Sequence, residues 1–136
     1  MSDEQPTSAA DKYGAHQIEV LETPETFFGL LAAIRTRPGF YLYRKSVQHI
    51  WTFLWGYWTA RQQAGLGRLP DEAGFQGFDF FVLEKYGGSG AEGWATKIAR
   101  HCKDDEQSFD QFFTLLDEFR APPRSKPKPI KRRKRE

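Results

Sequence analysis

Cysteine is nearly absent from this sequence: Cys102 is the only one in 136 residues. A lone cysteine excludes an internal disulfide framework and a four-cysteine zinc site. The three histidines, His16, His49 and His101, are too few and too far apart for a His-rich metal centre. Long apolar runs are also missing. The longest, Ile50 to Ala60, falls well short of the roughly 20 residues that span a bilayer. The first residues (Ser2, Asp3, Glu4) are polar and acidic, unlike a secretory leader. There is no internal repeat. These absences lead us to expect a cytoplasmic chain of one domain.

Aromatic residues are plentiful, at 15% of the chain, with twelve Phe, five Tyr and four Trp. Rings of that number bury enough area to offset chain entropy, so a wholly disordered chain is excluded. The net charge of +2 conceals two halves of opposite sign. Residues 120–136 hold nine Lys or Arg against one Glu, a charge of +8. Residues 1–119 hold eleven Lys or Arg against seventeen Asp or Glu, a charge of −6. The acidic body repels nucleic acid and attracts basic proteins, and the basic tail does the reverse.

Three regions follow. Residues 1–17 are polar and aperiodic and read as a flexible segment. Residues 18–120 carry periodic apolar patterns and read as a helical domain. Residues 121–136, with Pro122, Pro123, Pro127 and Pro129 among cations, read as a disordered tail.

Helix signals recur along the middle region. Thr23-Pro24-Glu25 suits a helix start, and Phe27, Phe28, Leu30, Leu31 and Ile34 follow at helical spacing. Pro38-Gly39 stops that helix, and Phe40 to Tyr43 is short enough to be extended. Ser46 caps a second helix, Val47 to Ala64, closed by Gly65. Its apolar residues cover an arc of roughly 200°, so it is expected to be central, with Trp51, Leu54 and Trp58 in the core. Phe75, Phe78, Phe81, Val82 and Tyr86 suggest a third helix, although Phe80-Phe81-Val82 also suits a buried strand; helix is preferred. Ser89-Gly90-Ala91-Glu92 has the form of a capping box opening a helix with Trp94, Ile98 and Cys102 on one face. Asp104 caps the last helix, whose inner face is Phe109, Phe112, Phe113, Leu116 and Phe119. The fold class expected is all-α, a compact bundle of four or five helices.

No arrangement of residues suggests catalysis, a metal or a cofactor. Gly88-Ser89-Gly90-Ala91-Glu92-Gly93 matches the glycine spacing of a dinucleotide fingerprint, but that motif needs a preceding strand, and helix is the better reading there. Arg35-Thr36-Arg37-Pro38-Gly39-Phe40-Tyr41 is similar to a stretch of the type II topoisomerase ATPase domain. The Glu and Asn that family needs on the next helix are absent from Trp51 to Arg61. His101 and Cys102 are helical neighbours about 100° apart and do not form a nucleophile pair. Asp104, Asp105 and Glu106 are explained by capping and the helix dipole. Glu106, Asp110 and Asp117 form one stripe on the last helix and are the candidate protein-binding residues. In the tail, Lys126, Lys128, Lys131, Arg132, Arg133, Lys134 and Arg135 have the charge density to contact phosphates, without rings to stack on bases.

One further pattern spans about residues 24–120. It comprises Arg37-Pro38-Gly39-Phe40-Tyr41-Leu42, then Ser46 and a helix bearing Gly56-Tyr57, and then Gly74-Phe75 and Phe81-Val82. Gly93-Trp94 with Ile98 follows, and Asp105-Glu106 leads to Phe109, Phe112-Phe113 and Leu115 to Phe119. This resembles small bacterial proteins akin to the immunity proteins of polymorphic toxin systems. The resemblance implies a non-enzymatic module that binds and neutralises a cognate toxin, with no cofactor. The implied partner is a protein, such as a toxin domain with a basic nucleic-acid groove. The long basic tail departs from that pattern and suggests an alternative, a nucleic-acid-associated protein anchored by the tail. Aromatic edges left uncovered would also suit a homodimer face.

Overall fold

The computed structural model describes residues 24–122. The expected flexible segment 1–17, the Thr23 cap and the tail beyond Pro122 lie outside the described residues. Five α-helices make up the described part: α1 (Phe27–Thr36), α2 (Val47–Gln63), α3 (Phe78–Tyr86), α4 (Trp94–Arg100) and α5 (Asp105–Arg120). Short 3-10 turns at Pro38–Phe40 and Pro70–Phe75 join them, and no strand occurs among the described residues. The architecture is all-α, and residues 78–86 are helix. No described helix is long and apolar enough to cross a membrane.

The core forms where the inner faces of the helices meet. Helix α4 packs against α2, α3 and α5, and α5 also packs against α2 and α3. Phe78 sits at the centre, its ring within 5.5 Å of those of Phe75, Trp94, Phe112 and Phe119. Phe27, Leu31, Ile34, Val47, Ile50, Leu54, Val82, Ile98 and Leu115 complete a fully buried set.

Several local expectations need correction. Helix α1 starts at Phe27, with Thr26 as its cap: the Thr26 hydroxyl accepts from the Gly29 N–H (3.0 Å). Its first two amides, Phe27 and Phe28, donate to the Asp71 carboxylate at 2.7 and 2.9 Å. A tertiary partner thus sets the helix start, where local spacing put it near Thr23. Phe40 belongs to a 3-10 turn in place of an extended segment, because the Pro38 carbonyl accepts from Tyr41 (3.0 Å) and Leu42 (2.8 Å). Helix α4 starts at Trp94 with Gly93 as its cap, so Ser89–Glu92 is not its capping box. The Ser89 hydroxyl takes the Ala91 N–H (3.1 Å), and Glu92 turns to cations further along.

The largest departure is α2. Ser46 caps it as expected, accepting from the His49 N–H (3.1 Å). However, only Val47, Ile50 and Leu54 are buried. Trp51 is 37% exposed and Trp55 51%, and Trp58 is half-buried. The helix is therefore covered along one narrow side, and Leu54 alone of the three expected core residues is fully inside.

Candidate functional site

The stripe on α5 stands on a firmly held helix. Asp104 caps it through the Gln107 N–H (2.8 Å), and the Gln107 side chain accepts from the Lys103 N–H (2.8 Å). One turn in, the buried Ser108 hydroxyl accepts from the Val47 N–H (3.0 Å) and donates to the Asp105 carbonyl (2.6 Å). This bond ties the first turn of α5 to the first turn of α2. The buried face of Phe109, Phe112, Phe113, Leu115 and Leu116 leaves Glu106, Asp110 and Asp117 exposed in a stripe along its edge, next to Phe113.

The three carboxylates are not equivalent. Asp117 is paired with Arg35 of α1 at 3.2 Å, and the same guanidinium lies 5.1 Å from the Phe113 ring centre. Its neighbour Glu118 is paired with Lys85 at 3.0 Å. Among the described residues, Glu106 and Asp110 have no ion-pair partner. The acidity of the chain is also unevenly placed. Of the −6 on residues 1–119, −4 falls within residues 1–23, where Lys12 stands against Asp3, Glu4, Asp11, Glu19 and Glu22. Residues 24–119 carry only −2, so the acid field of the described body is local to faces such as that of α5. The tail candidates Lys126, Lys128, Lys131, Arg132, Arg133, Lys134 and Arg135 lie outside the described residues.

The glycine-rich loop between α3 and α4 has a structural role. A helix precedes it where the fingerprint needs a strand, and Lys97 packs against it. This side chain is buried, and its ammonium donates to the Ser89 carbonyl (2.6 Å) and reaches Glu92 (3.4 Å). Gly88 has φ +89°, and a Cβ there would lie 3.3 Å from the Lys97 Nζ. Both facts call for glycine at this position without any nucleotide. Arg100 also grips Glu92. The hydrogen bond from Arg100 holds the Glu92 carboxyl below its usual range against the opposing effect of burial, with the Arg100 charge and Lys97 adding to the pull.

The remaining reactive groups are occupied. The His101 ring stacks on Tyr86 with centroids 4.1 Å apart, and its Nδ1 lies 3.0 Å from the Lys97 carbonyl. Cys102 is partly buried, and burial, aided by Asp104, pushes its thiol above the usual range. Such a thiol is a weak nucleophile. Among the described residues, no group of three or more His, Cys, Asp or Glu side chains could hold a metal ion.

The sequence reading missed two features. Asp71 and Glu72 lie in what read as a loop, yet they tie three parts of the fold together. Glu72 is buried and accepts from the Leu69 N–H (2.5 Å) and from the Trp58 indole. The second is a basic, aromatic surface from Arg35 to Lys45, holding Arg35, Arg37, Arg44 and Lys45 with no acid among them. Phe40 there is 58% exposed and Tyr43 90%, with Arg37 and Arg44 lying over their rings. The absence of Asp and Glu over these eleven residues was the available signal. Compared with models of known families, with curated proteins and with solved structures, the chain finds no match.

Proposed function

We propose that this chain is a non-enzymatic protein-binding module of the immunity type, which neutralises a cognate toxin by covering a basic groove with the outer face of α5. The observation that carries this reading is the exposed pair Glu106 and Asp110. Both lack a cation among the described residues, on a helix fixed by Asp104 and by the Ser108–Val47 hydrogen bond. Carboxylates without an internal partner lose little on meeting a cation from outside, and a held helix loses little entropy on docking. Asp117 would join the contact by exchanging Arg35 for a cation of the partner. The resemblance described above supports the same reading. The test uses the full chain as bait in native lysate, with nuclease and moderately high salt, and mass spectrometry identifies the retained protein. Reversing Glu106, Asp110 and Asp117 to Lys is then expected to weaken that protein's binding by at least about a hundredfold, as for truncation of central charged contacts. Unchanged affinity would remove α5 from the interface.

The nine cations within residues 120–136 favour a second reading, a non-specific nucleic-acid anchor. The two readings separate on deletion of residues 121–136 and on nuclease treatment: a tail-borne contact is lost with either, and the α5 contact survives both.

A further inference from the structure

One side of α2 carries a stripe of rings and amides that stands open to solvent. Gln48, Trp51, Trp55, Trp58 and Gln62 recur at intervals of three and four residues. They fall within about 80° of the helix circumference, beside the buried face of Val47, Ile50 and Leu54. Exposure rises with distance from that face: Trp58 is half-buried, Trp51 is 37% exposed and Trp55 51%. We propose that two copies of the chain pair through this stripe, α2 against α2 and antiparallel, about a two-fold axis near Trp55.

The spacing is that of a helix covered by another helix. Gln48, Trp55 and Gln62 lie seven residues apart, as do Trp51 and Trp58. The stripe also reads the same in both directions, with glutamine at each end and tryptophan between, so a reversed copy meets matching groups. A two-fold contact must complement itself, and any charge on its axis would face its own kind. Val47 to Ala60 accordingly holds no Asp, Glu, Lys or Arg. Interface centres are depleted of charge and rich in tryptophan in the same way. Arg61, the one charged residue of α2, turns to its own chain: its Nε donates to the Gly67 carbonyl (2.7 Å), and its guanidinium lies over Tyr57. A neutral face gives neither phosphate nor a basic groove a charge to pair with.

The ground beside the stripe fits the same arrangement. Two grooves, of about 550 and 580 Å³, open along it. Glu92 is the one charged residue lining the first, with Gln48 and Trp51, and Arg68 the one lining the second, with Trp55 and Gln62. Reversal brings Gln62 of one copy to Gln48 of the other. It therefore carries Arg68 to the end where Glu92 of the other copy stands, and does so at both ends of the pair. The seam is only about 21 Å long, so the dimer is expected at the weak end of specific association, with Kd roughly 1–100 μM.

The test is sedimentation velocity of the full chain across roughly 1–300 μM, with monomer expected to pass to dimer over that range. Trp55→Arg sets two cations on the axis and is expected to weaken pairing at least about thirtyfold. Thr59→Arg, at an exposed position one turn on, is expected to act likewise and guards against a folding defect in the first variant. A chain that stays monomeric throughout, or a dimer indifferent to both variants, overturns the proposal. Direction is read by a short bis-maleimide in a Cys102→Ala background. A Gln48→Cys chain mixed with a Gln62→Cys chain is expected to give the mixed crosslink. Neither chain alone is expected to crosslink to itself, because like positions would stand about 21 Å apart. Self-crosslinking of each chain without the mixed product overturns the antiparallel pairing.

Discussion

Asp71 contributes more to this fold than its place in a glycine- and proline-rich connection suggests. It receives the Phe27 and Phe28 N–H groups, two of the four amides that the start of α1 leaves without helical partners. Burial pushes its carboxyl upward, but the amides of Phe28, Phe27 and Asp71 itself, with Arg120 nearby, outweigh burial and hold it below the usual range. Asp71→Ala is expected to cost about 1–2 kcal/mol at neutral pH, the size of a lost helix cap, read by urea unfolding. The folded carboxyl holds its proton less tightly than the unfolded one. The stabilisation is therefore complete above the ordinary carboxylate range and drains away as pH falls through the folded value. The gap between wild type and Asp71→Ala should accordingly narrow below about pH 4, and a gap constant down to pH 2 would show that the carboxylate charge is irrelevant. None of this was legible in sequence, because the partners lie 43 and 44 residues apart and no periodic pattern links them. The local caps Ser46 and Asp104 were legible, since each serves an amide three residues on. Lys97 was illegible for a different reason: a lysine is ordinarily solvated, and only the carbonyl of Ser89 and the carboxylate of Glu92 make its burial affordable.

At the scale of the element, α5 and α2 show where reading by apolar spacing succeeds and fails. In α5 the rings recur on one face and the exposed carboxylates line its edge, so the pattern and the buried face coincide. In α2 the apolar arc is wide because Trp, Phe and Tyr count as apolar wherever they stand. Many of these rings instead pack on one another at the surface. Trp51 meets Trp55 edge-on at 5.8 Å, Trp55 meets Trp58 at 5.9 Å, and Phe53 stacks on Tyr57 at 6.3 Å. The seven-residue α4 is too short to cover the length of a seventeen-residue neighbour. The consequence is a sharp contrast within one helix. Leu54→Ala, at a fully buried position, is expected to cost about 2–5 kcal/mol. Trp51→Ala is expected to cost less than Leu54→Ala, about 1–2 kcal/mol, because over a third of the residue is exposed. Urea unfolding of both variants checks the orientation of α2, and equal costs would contradict it. Trp58 is a third case, in which Phe replaces most of the ring but removes the indole donor from buried Glu72. Leaving that carboxylate with one donor fewer is expected to cost about 1–3 kcal/mol, with a smaller loss in Trp58→Phe/Glu72→Gln than the two single changes add up to.

For the molecule as a whole, charge is arranged in blocks along the chain: −4 on residues 1–23, −2 on residues 24–119, and +8 on residues 120–136. The described helices thus carry little net charge themselves, and the chain's response to polyanions is set by its ends and by the Arg35–Lys45 surface. This arrangement makes duplex DNA a discriminating probe even if it is not the natural partner. For the full chain, anisotropy titrations are expected to give sequence-independent affinity, with a log–log salt slope between about −4 and −7 if five to eight tail cations engage phosphates. A chain ending at Pro122 carries −5, from twelve Lys or Arg against seventeen Asp or Glu, and is expected to bind negligibly. Retained binding by the shortened chain would move the contact from the tail to Arg37, Arg44 and Lys45. A further shortening that removes residues 1–23 would then raise the affinity, because it takes −4 of charge from a chain that repels phosphate.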